Sequence, residues 1–228
     1  MISDRKKIIL RSIIKEYLKN SQPVSSGILV EKCKLGVSPA TIRNEMAELE
    51  EAGYIVQPHT SAGRVPTEAA YELELEEIMR EDKRLKESEV SVLDAIFSFE
   101  EANAKQTAKA IAELANGAVF WAFHKNDLYY TGLSNLFSQP EFKQSEIVYD
   151  VSVIIDRMEE IIDDLFEKLE YGQQVMIGSN NPFGNFLSTV LVKYKKDNKS
   201  GIFGIMGPTR MDYAHNLSLI NYIKTKFE

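Results

Sequence analysis

The chain has 228 residues, 44% hydrophobic and 27% charged, with one cysteine and a formal net charge of −7. That balance belongs to folded globular proteins and excludes disordered, collagenous and membrane-embedded classes, and the length leaves room for two modest domains. A lone Cys33 excludes an internal disulfide or thiolate zinc cage, and the longest continuous apolar run, Ala118 to Phe123, is far too short for a membrane span. The amino terminus becomes charged at once, with no apolar run before a small-residue cleavage site, so cytoplasmic residence is the expectation. The net charge conceals a division. Residues 1–66 carry ten Lys and Arg against seven Asp and Glu, whereas the remainder carries seventeen against twenty-seven. The positive charge gathers at Arg5, Lys6, Lys7, Arg11, Lys15 and Lys19, which reads either as a solvated helix face or as a surface turned towards phosphate.

Ser3 offers an N-cap to a first helix reaching Lys19, with Ile9, Ile13 and Tyr17 along one side. Asn20 to Pro23 breaks it. Ser25 or Ser26 caps a short second helix to about Cys33, and Lys34 to Val37 supplies a glycine-containing turn. Ser38 then caps a third helix with Pro39 at its first position, ending at Gly53. Two β-prone runs around the tip Pro58 to Gly63 form a hairpin, and Thr67 caps a helix starting at Glu68. Three helices followed by a hairpin are the plan of a winged helix-turn-helix domain, placed at 1–70. Residues 71–90 read as a charged helical connector.

The second domain, 91–228, opens with helical spacing from Val92 to Ala115 and a stop at Asn116-Gly117. Ala118 to Phe123 and Leu128 to Tyr130 form a hairpin. A long helix spans about 146 to 169, three strands follow at Val175 to Ile177, Phe186 to Tyr194 and Gly201 to Met206, and a last helix runs from about Thr209 to Phe227.

At a hundred degrees per residue, Ile42, Met46 and Leu49 of the third helix fall in one sector and pack inward, leaving Ala40, Arg43, Asn44 and Ala47 outward with Ser38 and Thr41 at the leading edge. Arg can pair bidentately with guanine and Asn with adenine, while Ala and the Thr methyl suit a thymine methyl. Glu45, Glu48, Glu50 and Glu51 lie further along and would repel phosphate, so only the N-terminal half should dock. The wing residues His59, Ser61 and Arg64, with Lys6 or Lys7, suit contact with the DNA backbone. Catalysis finds no support: His59, His124 and His215 are far apart, and no metal-binding or phosphate-loop motif is present. Neither metal nor cofactor is expected. Gly207 to Tyr213, with Thr209 and Asp212 spaced as a capping box, reads as a structural turn or, less simply, as a small-anion site.

The stretch Val37-Ser38-Pro39-Ala40-Thr41-Ile42-Arg43-Asn44-Glu45-Met46-Ala47-Glu48-Leu49-Glu50, followed by Gln57-Pro58-His59-Thr60-Ser61-Ala62-Gly63-Arg64-Val65-Pro66, resembles the signature of the HrcA heat-inducible transcription repressors of bacteria. Tyr130 to Phe137, Gln139 to Phe142 and Gly207 to Tyr213 resemble later motifs of that family in the same order. The resemblance implies an α+β protein whose second domain is GAF-like, with a central antiparallel sheet. It also implies a homodimeric repressor that binds the CIRCE inverted-repeat operator upstream of chaperone genes, released by heat and kept active by the GroEL/GroES chaperonin. No enzyme activity is implied. The chain is shorter than such proteins, and the loss falls between Phe123 and Tyr130, where longer members carry an inserted domain credited with dimerisation. Dimer contacts are then expected from the helices of residues 72–116 and the face of the GAF-like domain. An alternative reading is a metabolite sensor, with a pocket near Trp121, Tyr129, Tyr130 and Phe203 or with those residues as aromatic core.

Overall fold

The computed structural model describes the chain except for residues 1, 34–35, 61, 81–83, 98–100, 126, 197–198 and 228, and the side chains of 101–102 and 199. Two compact units emerge, Met1–Glu81 and Asp82–Glu228.

In the first unit, α1 (Asp4–Asn20), α2 (Ser26–Cys33) and α3 (Pro39–Glu51) surround a core of Ile9, Ile13, Leu29, Ile42 and Leu49, all fully buried. Local chemistry sets their ends. The Ser3 side chain accepts from the Lys6 amide at 3.4 Å, Ser25 does the same for Ile28, and Ser38 caps α3 beside Pro39. Ser21, in the left-handed region, closes α1 by donating its N–H to the Tyr17 carbonyl. The wing is the two-residue pair β1 (Ile55–Val56) and β2 (Val65–Pro66), antiparallel with Val56 opposite Val65. A third piece joins it: Val24, from the α1–α2 connection, forms an antiparallel bridge with Arg64 through bonds of 2.8 and 2.9 Å. Gly63 makes this approach possible, because a Cβ there would stand 2.4 Å from the Val24 carbonyl oxygen.

Two details differ from the sequence reading. Thr67 precedes α4 (Glu68–Ile78) but makes no side-chain cap; its hydroxyl instead donates towards the Gly53 and Tyr54 carbonyls of the α3–β1 corner, at 2.7 and 3.0 Å. The charged run to Glu89 is not one helix either. α4 ends at Ile78, and α5 (Glu87–Ile96) starts anew where Glu89 accepts from the Lys86 amide.

The second unit holds a five-stranded antiparallel sheet ordered β4-β3-β7-β6-β5, from β3 (Ala118–His124), β4 (Asp127–Thr131), β5 (Gly172–Ile177), β6 (Leu187–Lys196) and β7 (Lys199–Pro208). One face, through Phe120, Ala122, Leu191 and Met206, packs against α7 (Leu133–Ser138), α8 (Ser145–Asp156) and α9 (Met158–Lys168), which contribute Leu136, Val151, Met158, Ile162 and Leu165. The alternate residues, among them Val119, Trp121, Val192 and Phe203, are buried on the face where α6 (Glu101–Ala115) and α10 (Tyr213–Phe227) lie. This is the GAF-like antiparallel architecture.

The helix expected over 146–169 is two helices, because Arg157 leaves helical geometry at φ −102 and ψ 10 with no glycine or proline to announce it. Likewise α5 and α6 divide the stretch read as one helical pattern from Val92. α10 begins four residues later than Thr209, because Asp212 caps it by accepting from the His215 amide at 3.0 Å. That carboxylate occupies the helix start, so the turn is structural and does not offer a place for an anion.

Candidate nucleic-acid interface

α3 is amphipathic in the sense the sequence requires. Ile42, Met46 and Leu49 are buried against α1 and α2, while Ser38, Ala40, Arg43, Asn44 and Ala47 are exposed and Thr41 is half-buried. Ser38 is also the cap: its Oγ accepts from the Thr41 amide at 3.1 Å and lies 3.0 Å from the Thr41 hydroxyl. The leading edge of the face is therefore rigidly set, with the two hydroxyls bonded to each other.

Among the described residues, three of the four acids of α3 are spoken for, the exception being the exposed Glu51 at its end. Glu45 is buried, and its Oε1 accepts from the Arg5 Nε at 2.8 Å. Glu48 pairs with Lys6, whose ammonium it holds above its ordinary pKa. Glu50 accepts from the Gln57 amide at 3.0 Å and from the Arg64 Nε at 2.9 Å. Lys7 pairs with Glu77 at 3.1 Å, and Arg11 with Glu74 and Glu77. Lys6 and Arg64 thus stand beside α3 as members of ion pairs and Lys7 is held on α4, whereas Arg43 has no partner among the described residues. Within one helix Glu45, Glu48 and Glu50 are neutralised by neighbouring elements and the Arg43 guanidinium is left open, which gives the N-terminal half of the exposed face its sign.

The wing is organised by a residue that the sequence reading passed over. The Gln57 amide nitrogen donates to the carbonyls of Thr60 and Ala62, each at 3.0 Å, and the Ala62 N–H closes a turn on His59. His59 is exposed at the tip; Ser61 lies outside the described residues. The signal is present in the sequence, since a Gln directly before a Pro-initiated loop can satisfy loop carbonyls.

In the second unit the four aromatic residues of the sensor reading do not converge. Trp121 and Phe203 are fully buried in T-shaped contact at 5.1 Å, an aromatic core. Tyr129 is paired across β3–β4 with Trp121 and Tyr130 with Phe120, so the two tyrosines lie on opposite faces of the sheet. The later sequence motifs do meet. Asn135 donates to the carbonyls of Ala112 and Gly117, Gln139 donates to that of Asn116, and Arg210 binds Gln139 at 2.9 Å and pairs with Glu141. They cap the end of α6 and tie it to the β7–α10 connection, a structural use of the motif.

Among the described residues no group of His, Cys, Asp and Glu could hold a metal ion, and no helix is long and apolar enough to cross a membrane.

A helix-turn-helix with a wing and an open basic and amide-bearing helix face defines a DNA-binding transcription regulator. Residues 11–67 match the DeoR-like helix-turn-helix domain, and residues 42–216 match the HrcA protein C-terminal domain. The chain belongs to the HrcA family of transcription repressors, a family of regulators and not of enzymes. It is 26% identical to the heat-inducible transcription repressor HrcA of Carboxydothermus hydrogenoformans over 329 aligned positions, covering 98% of this chain and 96% of the relative. The HrcA of Thermobifida fusca is 59% identical over 73 residues, 32% of this chain and 21% of the relative. Since 329 aligned positions exceed this chain's 228 residues, the Carboxydothermus protein carries sequence that this chain lacks. A crystal structure described as that of a hypothetical protein superposes with a TM-score of 0.84 at 20% identity, covering 100% of this chain and 98% of the other, which shows the shared fold.

Proposed function

We propose that this heat-inducible repressor docks the N-terminal half of α3 in the major groove, with Ser38, Thr41, Arg43 and Asn44 at the base edges. His59, Ser61 and Arg64 of the wing, with Lys6 and Lys7, position the DNA backbone as preset cations and donors. The observation that carries this reading is the unpaired Arg43 beside the exposed Asn44, on a helix where Glu45, Glu48 and Glu50 are held by other elements. Arg43→Ala weakens binding to the inverted repeat by about 1–3 kcal/mol and relaxes its sequence preference, measured by titration against the repeat and against random duplex. An equal loss on both removes the base-reading role.

The protein acts as a homodimer, because an inverted repeat presents two half-sites related by a two-fold axis. What supports a contact through the GAF-like unit is the outer side of α8, where Val148, Tyr149 and Val153 are exposed. Sedimentation with and without operator tests it; monomers in both conditions refute the paired mode. The chaperonin GroEL/GroES is the proposed modulator, by resemblance to the family, and the setting is the cytoplasm. No catalysis is part of the function.

A further inference from the structure

Between the start of α2, the outward face of α3 and the wing lies a cleft of about 320 Å3, whose lining includes Ser25, Ser26, Arg43, Gln57 and Arg64. Its walls are fixed. The Val24–Arg64 bridge binds the α2 side to the wing, and Gln57 holds the loop above it. Three donors from three elements face it unused. The Ser26 hydroxyl has no partner among the described residues, in contrast to Ser25, whose Oγ caps α2. Arg64 spends Nε and Nη2 on Glu50, which leaves Nη1. Arg43 spends nothing. The nearby carboxylate of Glu50 accepts from the Gln57 N–H and from Arg64, and it is not among the residues that line the cleft.

We propose that this cleft seats one phosphodiester of the DNA backbone per half-site, held by the Ser26 hydroxyl and Arg64 Nη1, with Arg43 at the rim supplying charge that no carboxylate offsets. A hydroxyl and a guanidinium edge fit a phosphate's oxygens, and such a contact sets the register in which Asn44 meets a base. The inference rests on the winged-helix reading of the first unit and assigns it an anchoring residue, Ser26.

The test uses the full chain, a binding-site duplex selected from a random-sequence pool, and an unrelated duplex of equal length. Ser26→Ala weakens both by a similar factor, roughly tenfold, while Ser26→Thr, which keeps the hydroxyl, binds as the wild type does. A single neutral methylphosphonate, walked through the selected duplex, weakens the wild type at one position per half-site and weakens Ser26→Ala less at that position, where only the two arginines still meet the phosphate. The thermal midpoint of Ser26→Ala stays at the wild-type value, because its hydroxyl bonds nothing among the described residues. Wild-type affinity in Ser26→Ala, or a loss confined to the selected duplex, overturns the assignment while a weakened Arg43→Ala keeps the DNA-binding reading. A wild type that binds neither duplex overturns both.

Discussion

Glu50, in the last turn of α3, and Arg64, at the end of the wing tip, meet through the Arg64 Nε at 2.9 Å, and the same carboxylate accepts from the Gln57 amide at 3.0 Å. One side chain therefore fixes the wing's two ends against the helix proposed to enter the groove. Glu50→Ala frees Arg64 and leaves the Gln57 amide without its acceptor. The expected cost is about 1–2 kcal/mol of stability in the first unit, with weaker binding to selected and random duplex alike. Denaturant unfolding followed by circular dichroism, with a DNA titration beside it, checks both; unchanged affinity would show that the wing's position does not matter for docking.

Gly63 is fixed by space. Its α-carbon faces the Val24 backbone so closely that a methyl group would lie 2.4 Å from a carbonyl oxygen. Gly63→Ala must part the bridge, at about 1–3 kcal/mol. Hydrogen exchange at the Val24 and Arg64 amides, which donate to each other's carbonyls, reads the parting directly. Protection equal to the wild type at both amides refutes it.

Glu89 supplies a pH dependence to the second unit. One of its oxygens accepts from the Lys86 amide at 2.9 Å and the other faces His215 Nε2 at 3.0 Å, joining the start of α5 to α10. Burial pushes the carboxyl up, but the Lys86 N–H and His215 outweigh it, and the net value lies below the ordinary one. A depressed folded pKa stabilises fully above the unfolded value, about 4.3, and that stabilisation is lost as pH falls through the folded value. Glu89→Gln should flatten the acid side of a stability profile taken from about pH 6 to about pH 3. Parallel profiles for variant and wild type would exclude the link.

Tyr194 holds the only tryptophan. Trp121 donates its indole N–H to the Tyr194 hydroxyl at 2.7 Å within the core, and burial pushes that phenol up to about 12. Tyr194→Phe leaves a buried donor without an acceptor, at a cost of about 1–3 kcal/mol. Calorimetry of the two proteins measures it, and a midpoint unmoved by the change would mean that another acceptor takes over.

What could be read from residues alone divides by range. The ends of α1, α2 and α3 were legible because Ser3, Ser25, Ser38 and Pro39 act within one turn, and the outward set Ala40, Arg43, Asn44 and Ala47 follows from helical period alone. The strands of the sheet were legible through their β-branched and aromatic runs. Pairings across distance were not. Glu45, expected among the acids that would repel phosphate, is instead buried and paired with Arg5, forty positions away. The Val24 bridge is a single residue, too short to carry a period, and the interruption at Arg157 has no residue type to mark it. Thr67 and Thr209 were assigned as caps by spacing, yet neighbouring groups offered Thr67 better partners and Asp212 a better position.

The burial of Trp121 within the sheet of the second unit, with no tryptophan in the winged helix, divides the chain optically as well as structurally. Its emission reports the acidic body and is silent about the basic end. Heating one sample that carries a dye-labelled operator therefore yields two independent melting curves, one from the indole and one from the released DNA. Their order identifies which half of the molecule acts as the thermometer: release ahead of the indole transition places it in the winged helix, and release in step with that transition places it in the GAF-like unit.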